Sequence, residues 1–170
     1  MNELVPMSIK GLMLDPVSNS PIVVLKDEDE KFFLPIWVGI FEANAIALQL
    51  ENVATPRPMT HDLLKSAIAQ LDARVTRIVI NDLRDSTFFA QIRVMVTRAG
   101  ADTMLELDAR PSDAIALALR TEAPIYVAQS VLDQAQTITP DSDSDSDDPD
   151  EKSKKWFENL DTEDLGKYKM

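Results

Sequence analysis

The chain has 170 residues, 45% of them apolar, with no cysteine, a single histidine and a formal charge of −12. That length suits one domain of about 100–150 residues better than two, and the apolar share excludes global disorder. The missing thiols exclude disulfides, zinc–thiolate sites and cysteine nucleophiles, and they sit comfortably with a reducing cytoplasm.

One histidine also excludes a multi-histidine metal centre. The charge is divided evenly: residues 1–139 carry −6 and residues 140–170 another −6. An acidic domain has no general pull on phosphate backbones, so nucleic acid would be held locally, by clustered arginines or a metal ion. The N-terminus has no basic stretch followed by an apolar run and reads as no signal peptide. The longest apolar stretches, such as residues 34–41, fall far short of the ~18–20 residues of a membrane span.

Residues 7–14, 22–25 and 32–36 read as three strands, separated by Pro/Asn/Asp/Ser-rich or charged turns. Residues 39–52 read as a helix that is apolar on nearly every side, a pattern of burial in a core or subunit contact. Glu42 and Asn44 are its exceptions and need partners. After the break at Pro56-Arg57-Pro58, Thr60 is placed to cap a second helix to about Leu71, with Leu63, Leu64, Ala67, Ile68 and Leu71 in one stripe.

Residues 75–80 are a β-rich run, and residues 81–86 a turn that holds Asp82 and Asp85. Residues 88–97 alternate cleanly. Residues 103–109 return with Leu105 and Leu107 inward and Glu106 and Asp108 outward. Pro111 opens a third helix to about Thr121. A short strand follows at 124–128, then a turn of helix at 130–135. The expectation is one α+β domain over residues 1–138, an antiparallel or mixed sheet with three to four helices packed on it. The acidic run 139–151 reads as a disordered, solvated linker, since it lacks the central glycine and the terminal-glutamate geometry of a calcium loop. Residues 152–170 form a short tail in which Trp156, Phe157 and Leu160 would make one docking turn.

There is no phosphate-binding Gly-rich loop, nucleophile elbow or paired-histidine zinc motif. Two segments echo each other instead: Arg57-Pro58-Met59-Thr60-His61-Asp62 and Arg110-Pro111-Ser112-Asp113. Each sets Arg-Pro, a hydroxyl and an Asp at a helix start, where unpaired N–H groups and an arginine fork can cradle phosphate. Thr60 and Ser112 would then bind phosphate with Arg57 and Arg110. The same pattern also reads as ordinary helix starts, with hydroxyl caps, aspartates complementing the helix dipole, and arginines paired to those acids. His61 and Asp62 are candidates for acid–base work, together with Glu42. Glu42, Asp62 and Asp113 could supply oxygen ligands to Mg²⁺ or Mn²⁺.

Three stretches together, Leu34-Pro35-Ile36-Trp37-Val38-Gly39 with Glu42-Ala43, Arg57 to Leu63, and Asp108 to Ala116, resemble the bifunctional nuclease family. The tail from Asp164 to Met170 is similar to an ending of bacterial members. The resemblance covers about residues 7–135. It implies a compact α+β domain that self-associates and acts on DNA and RNA, with no established catalytic mechanism to carry over. Two functions follow: a metal-assisted phosphodiesterase, or a non-catalytic homo-oligomeric binding or regulatory module in which the same charged residues form a structural network.

Overall fold

In a computed structural model, residues 3–135 are described, and the linker and tail expectations lie outside them. Among the described residues are seven strands and four helices: β1 Leu4–Leu14, β2 Pro21–Asp27, β3 Phe33–Trp37, α1 Ile40–Leu50, α2 Thr60–Gln70, β4 Ala73–Arg84, β5 Thr87–Arg98, β6 Ala101–Ala109, α3 Pro111–Thr121, β7 Ile125–Ala128 and α4 Gln129–Gln134. The strands form one mixed sheet in the order β3-β2-β1-β7-β4-β5-β6. Every pairing is antiparallel except β7 with β4. The α+β expectation holds.

Two-residue turns set the long hairpins. Asp85 and Ser86 both take positive φ between Arg84 and Thr87, and Ala99 and Gly100 do so between Arg98 and Ala101. Such turns match the twist of the strands they join. The first lies later than expected. A bulge between Ile80 and Asp82 lets β4 run on to Arg84, so Asp82 is a strand residue, ion-paired with Arg84, and only Asp85 turns.

One face of the sheet carries the main core. Val23, Leu25, Leu34, Ile36, Ile78, Ile80, Ile92 and Val94 pack there with residues of α1, α3 and α4. The opposite face holds a small cluster of Ile22, Val24 and Phe33. The buried helix is α3, where Ala114, Ile115, Ala116 and Leu117 are all fully buried.

Three apolar patterns resolve differently from their sequence reading. Only one side of α1, with Ala43, Ala45 and Ile46, is buried, while Phe41 is 85% exposed. On α2 the expected stripe is largely exposed at Leu63, Leu64 and Leu71, and the buried residue is His61. Leu105 and Leu107 do share a face with Ile92 and Val94, their β5 partners. They remain exposed because β6 is an edge strand. In each case the apolar spacing gives the local structure, but what lies opposite it is set by the sheet order.

Ile115→Ala should cost about 2–5 kcal/mol, the usual range for emptying a well-packed site. Phe41→Ser should change stability by less than ~0.5 kcal/mol in this fold. Urea unfolding of both variants checks the pair, and a large loss at Phe41 would reveal that something covers α1.

Candidate active site

The two Arg-Pro segments do start helices, but neither hydroxyl caps one. Met59 occupies the cap of α2, and its N–H donates to Asp62 Oδ2 at 2.8 Å. Arg110 occupies the cap of α3. Thr60 is exposed. Ser112 is buried, one residue inside α3.

The fold brings α1, α2 and the start of α3 together through charge. Arg110 is at the centre. Its Nη1 donates to Glu42 Oε1 at 2.9 Å, and its Nε and Nη2 both reach Asp113 Oδ2 at 2.9 Å. The other oxygen of Asp113, Oδ1, lies 3.0 Å from His61 Nε2. A continuous chain therefore runs Glu42–Arg110–Asp113–His61. Asp113, then Glu42, hold the Arg110 guanidinium above its already high pKa. Because a carboxylate accepts, a neutral His61 carries its proton on Nε2 and leaves Nδ1 as an acceptor. His61 is 9% exposed, so only a small part of its ring reaches the surface.

Gly39 belongs to this arrangement. It precedes α1, and a Cβ on it would collide with Glu42 Oε2, which folds back over it. The bare backbone leaves Glu42 room to reach Arg110.

Asp62 goes elsewhere, although it is next to His61. Its Oδ1 accepts from Arg120 Nε at 2.7 Å. Arg120 is 5% exposed, and its remaining nitrogens donate to Ala116 O at 2.9 Å and Ala45 O at 3.1 Å. Burial pushes the Asp62 carboxyl up, but the Met59 N–H and the Arg120 guanidinium together hold it below the ordinary value. Arg120 was not among the sequence candidates. Its signal was its spacing: the positions three and four before it, Leu117 and Ala116, are apolar and fully buried.

Arg57 stands apart. It is exposed in the loop before α2, and its side chain has no hydrogen bond or ion pair among the described residues. Glu42 and Asp113 meet through Arg110, and Asp62 faces Arg120. Accordingly, no group of three or more His, Asp or Glu among the described residues is placed to hold a metal ion.

A model of the bifunctional nuclease domain matches residues 23–140. The chain belongs to the bifunctional nuclease domain family. An uncharacterised protein of Mycobacterium tuberculosis is 39% identical over 133 residues, 78% of this chain and 77% of that one. Bifunctional nuclease 2 of Oryza sativa subsp. japonica is 31% identical over 124 residues, 72% of this chain but 38% of the rice protein. Bifunctional nuclease 1 of Arabidopsis thaliana is 30% identical over 120 residues, covering 69% and 36% respectively. The charged chain and the Arg120 network both fall inside the bifunctional nuclease domain match. No helix among the described residues is long and apolar enough to cross a membrane.

Arg120→Ala should cost about 3 kcal/mol, the lower end for breaking a buried ion pair, because the Asp62 side chain it leaves behind is 30% exposed. For Asp62, a depressed folded pKa means stabilisation that is full above the ordinary value of 3.8 and lost as pH falls through the lower folded value. Asp62→Asn should therefore lower the Tm near neutrality and flatten its fall at acid pH. Melts from neutral to about pH 3 measure both effects.

Proposed function

We propose that this chain is a hydrolase that cleaves phosphodiester bonds in DNA and RNA, with His61 moving the proton and Arg110 holding the phosphate. The observation that carries this reading is the His61–Asp113–Arg110 chain of hydrogen bonds. A carboxylate that accepts from one imidazole nitrogen orients the ring and stabilises its cation, which is how a histidine is made into a general base. His61 Nδ1 would take a proton from water as the water oxygen bonds to phosphorus; the P–O bond to the leaving sugar oxygen breaks, that oxygen takes a proton from solvent water, and the imidazolium returns its proton to solvent. Arg110 has five N–H donors and spends three on carboxylates, leaving two for a phosphate oxygen. The name shared by the rice and Arabidopsis relatives supports the same reading.

The remaining candidates take supporting parts. Asp62 keeps the first turn of α2, and His61 with it, against Arg120. Arg57, whose side chain has no hydrogen bond or ion pair among the described residues, is suited to a flanking phosphate, with Thr60 shortly after it in the sequence. Mg²⁺ or Mn²⁺ belongs to the reading as a companion of the substrate phosphate. Mg²⁺ often takes only one or two carboxylates along with phosphate, and Glu42 or Asp113 would serve. The chain is further proposed to act in the cytoplasm as a homo-oligomer, most simply a twofold dimer, through exposed apolar residues of α1, among them Ile40 and Phe41.

A second reading rests on the same contacts. Glu42, Asp113 and Asp62 each have an arginine partner already, as in a purely structural network of a binding or regulatory module.

Purified protein incubated with single-stranded DNA and RNA oligonucleotides separates the two. His61→Ala should slow cleavage about 10²–10⁴-fold, the usual worth of a positioned acid or base. Arg110→Ala should abolish it in a protein that still melts cooperatively, and EDTA should stop the wild type. Unchanged cleavage by folded His61→Ala protein would sink the hydrolytic reading in favour of the module. Light scattering of the same samples gives the oligomeric state.

A further inference from the structure

The two edges of the sheet are unlike. β3 is short and largely buried, and Pro35 at its middle has no N–H to offer. β6 is open along its length. Every residue from Ala101 to Asp108 is exposed, and the strand's backbone makes no hydrogen bond beyond β5 among the described residues. Every second residue therefore turns its N–H and C=O away from the sheet, which is a template for one more strand.

The side chains of β6 fall into two rows, fixed by its register with β5. Leu105 and Leu107 stand on the core side beside Val94 and Ile92, and each is 44% exposed. On the other side stand Asp102, Met104, Glu106 and Asp108. Among the described residues one cation serves these carboxylates: Arg93 reaches Glu106 at 3.2 Å. Asp102 accepts from the Thr97 hydroxyl at 2.7 Å, and Asp108 has no hydrogen bond or ion pair among the described residues.

These rows select against a second copy of β6. A twofold antiparallel pairing centred on Leu105 sets Asp102 opposite Asp108 of the other copy, and one centred on Glu106 sets Glu106 opposite itself. Like charges facing across a ladder are destabilising. The rows fit a strand that alternates basic and apolar residues. Past Ala135 the sequence has one such stretch, Lys167-Tyr168-Lys169-Met170.

We propose that residues 166–170 add to the sheet as a further strand, antiparallel to β6, with Tyr168 opposite Leu107, Met170 opposite Leu105, and Lys167 and Lys169 opposite Asp108 and Glu106. The period of two carries the fit. Once one lysine is on the carboxylate row both are, and Tyr168 and Met170 then cover the two leucines. Backbone bonds along the open edge supply affinity and the two rows supply register, as in other strand additions. Reach is no constraint: residues 136–165 can extend over about 100 Å, against a radius of gyration of about 14 Å for a domain of this size. Tethering also raises the effective concentration of the stretch toward the millimolar range, so a short strand need not bind tightly. The added strand closes an edge that would otherwise pair with other chains. None of this depends on the hydrolase reading.

The chain has no cysteine, so a pair placed across the new ladder reports on it directly. Directly opposed residues have Cα atoms about 4.5–5.5 Å apart, within reach of a disulfide. In the full chain, Leu107→Cys with Tyr168→Cys should cross-link within one molecule under mild oxidation. Met104→Cys with Tyr168→Cys, on opposite faces of the sheet, should not. Hydrogen exchange reads the same contact without cysteines. Lys167→Glu with Lys169→Glu should speed exchange of β6 amides about tenfold and leave β4 unchanged. Adding Asp108→Lys should recover part of the protection.

Equal cross-linking of the two cysteine pairs, or none with either, overturns the register. Cross-linked dimers from the 107–168 pair overturn the intramolecular contact in favour of a strand supplied by a second copy. Exchange of β6 that is the same in wild type and charge-reversed protein overturns the strand addition itself.

Discussion

Helix α3 is buried along most of its length, and two arginines bracket it: Arg120, whose burial needs a charged partner to offset its desolvation, and Arg110, which stays at the surface. Each takes a carboxylate from another helix. Arg110 pairs with Glu42 of α1 as well as with Asp113 on α3 itself, and Arg120 pairs with Asp62 of α2. These links position the remaining charged groups. His61 meets Asp113 because α2 is held against α3, and Glu42 crosses to Arg110 because nothing stands on Gly39.

The two ends of α3 differ in exposure, and that difference divides structure from chemistry. The Arg120 side chain is 2% exposed and all of its bonds run to the protein interior. The Arg110 side chain is 64% exposed and makes its bonds at the surface. A buried guanidinium whose three nitrogens all donate to protein oxygens can only hold. An exposed one that shares its charge between two carboxylates can exchange part of that bonding with an incoming anion at small cost, because water already competes for it. An overall charge of −12 therefore says little about whether a phosphate can be bound at this one place.

Much of the fold was legible from spacing alone. The alternation over residues 88–97 and Pro111 at a helix start each report on neighbours within a few positions, and those elements appear where the pattern puts them. The failures share a cause. Leu105, Leu107 and Phe41 are apolar at the right period, but their exposure depends on which element lies opposite, and that is decided by strand order. The site was half legible in the same sense. Glu42, His61, Arg110 and Asp113 could be picked out as candidates, yet their bonds span 68 and 52 residues of sequence. Asp62 looked like the natural companion of His61. Helical geometry turns adjacent side chains about 100° apart, and Asp62 joins Arg120 instead.

The place of β7 in the sheet affects how this chain acquires its shape. The sheet consists of two antiparallel meanders, β1–β3 and β4–β6, each built from strands adjacent in sequence. They touch through β7, which pairs antiparallel with β1 on one side and parallel with β4 on the other. β7 is the last strand among the described residues and only four residues long. Each meander can form locally and early, whereas the seam between them waits for residues 125–128. On a ribosome the two half-sheets would emerge in turn and stay unjoined until that segment followed them out. The slow step of folding is then a closure across more than a hundred residues, with the loop entropy such a closure carries. Until it occurs, the inner edges of both meanders are open to pairing with another chain.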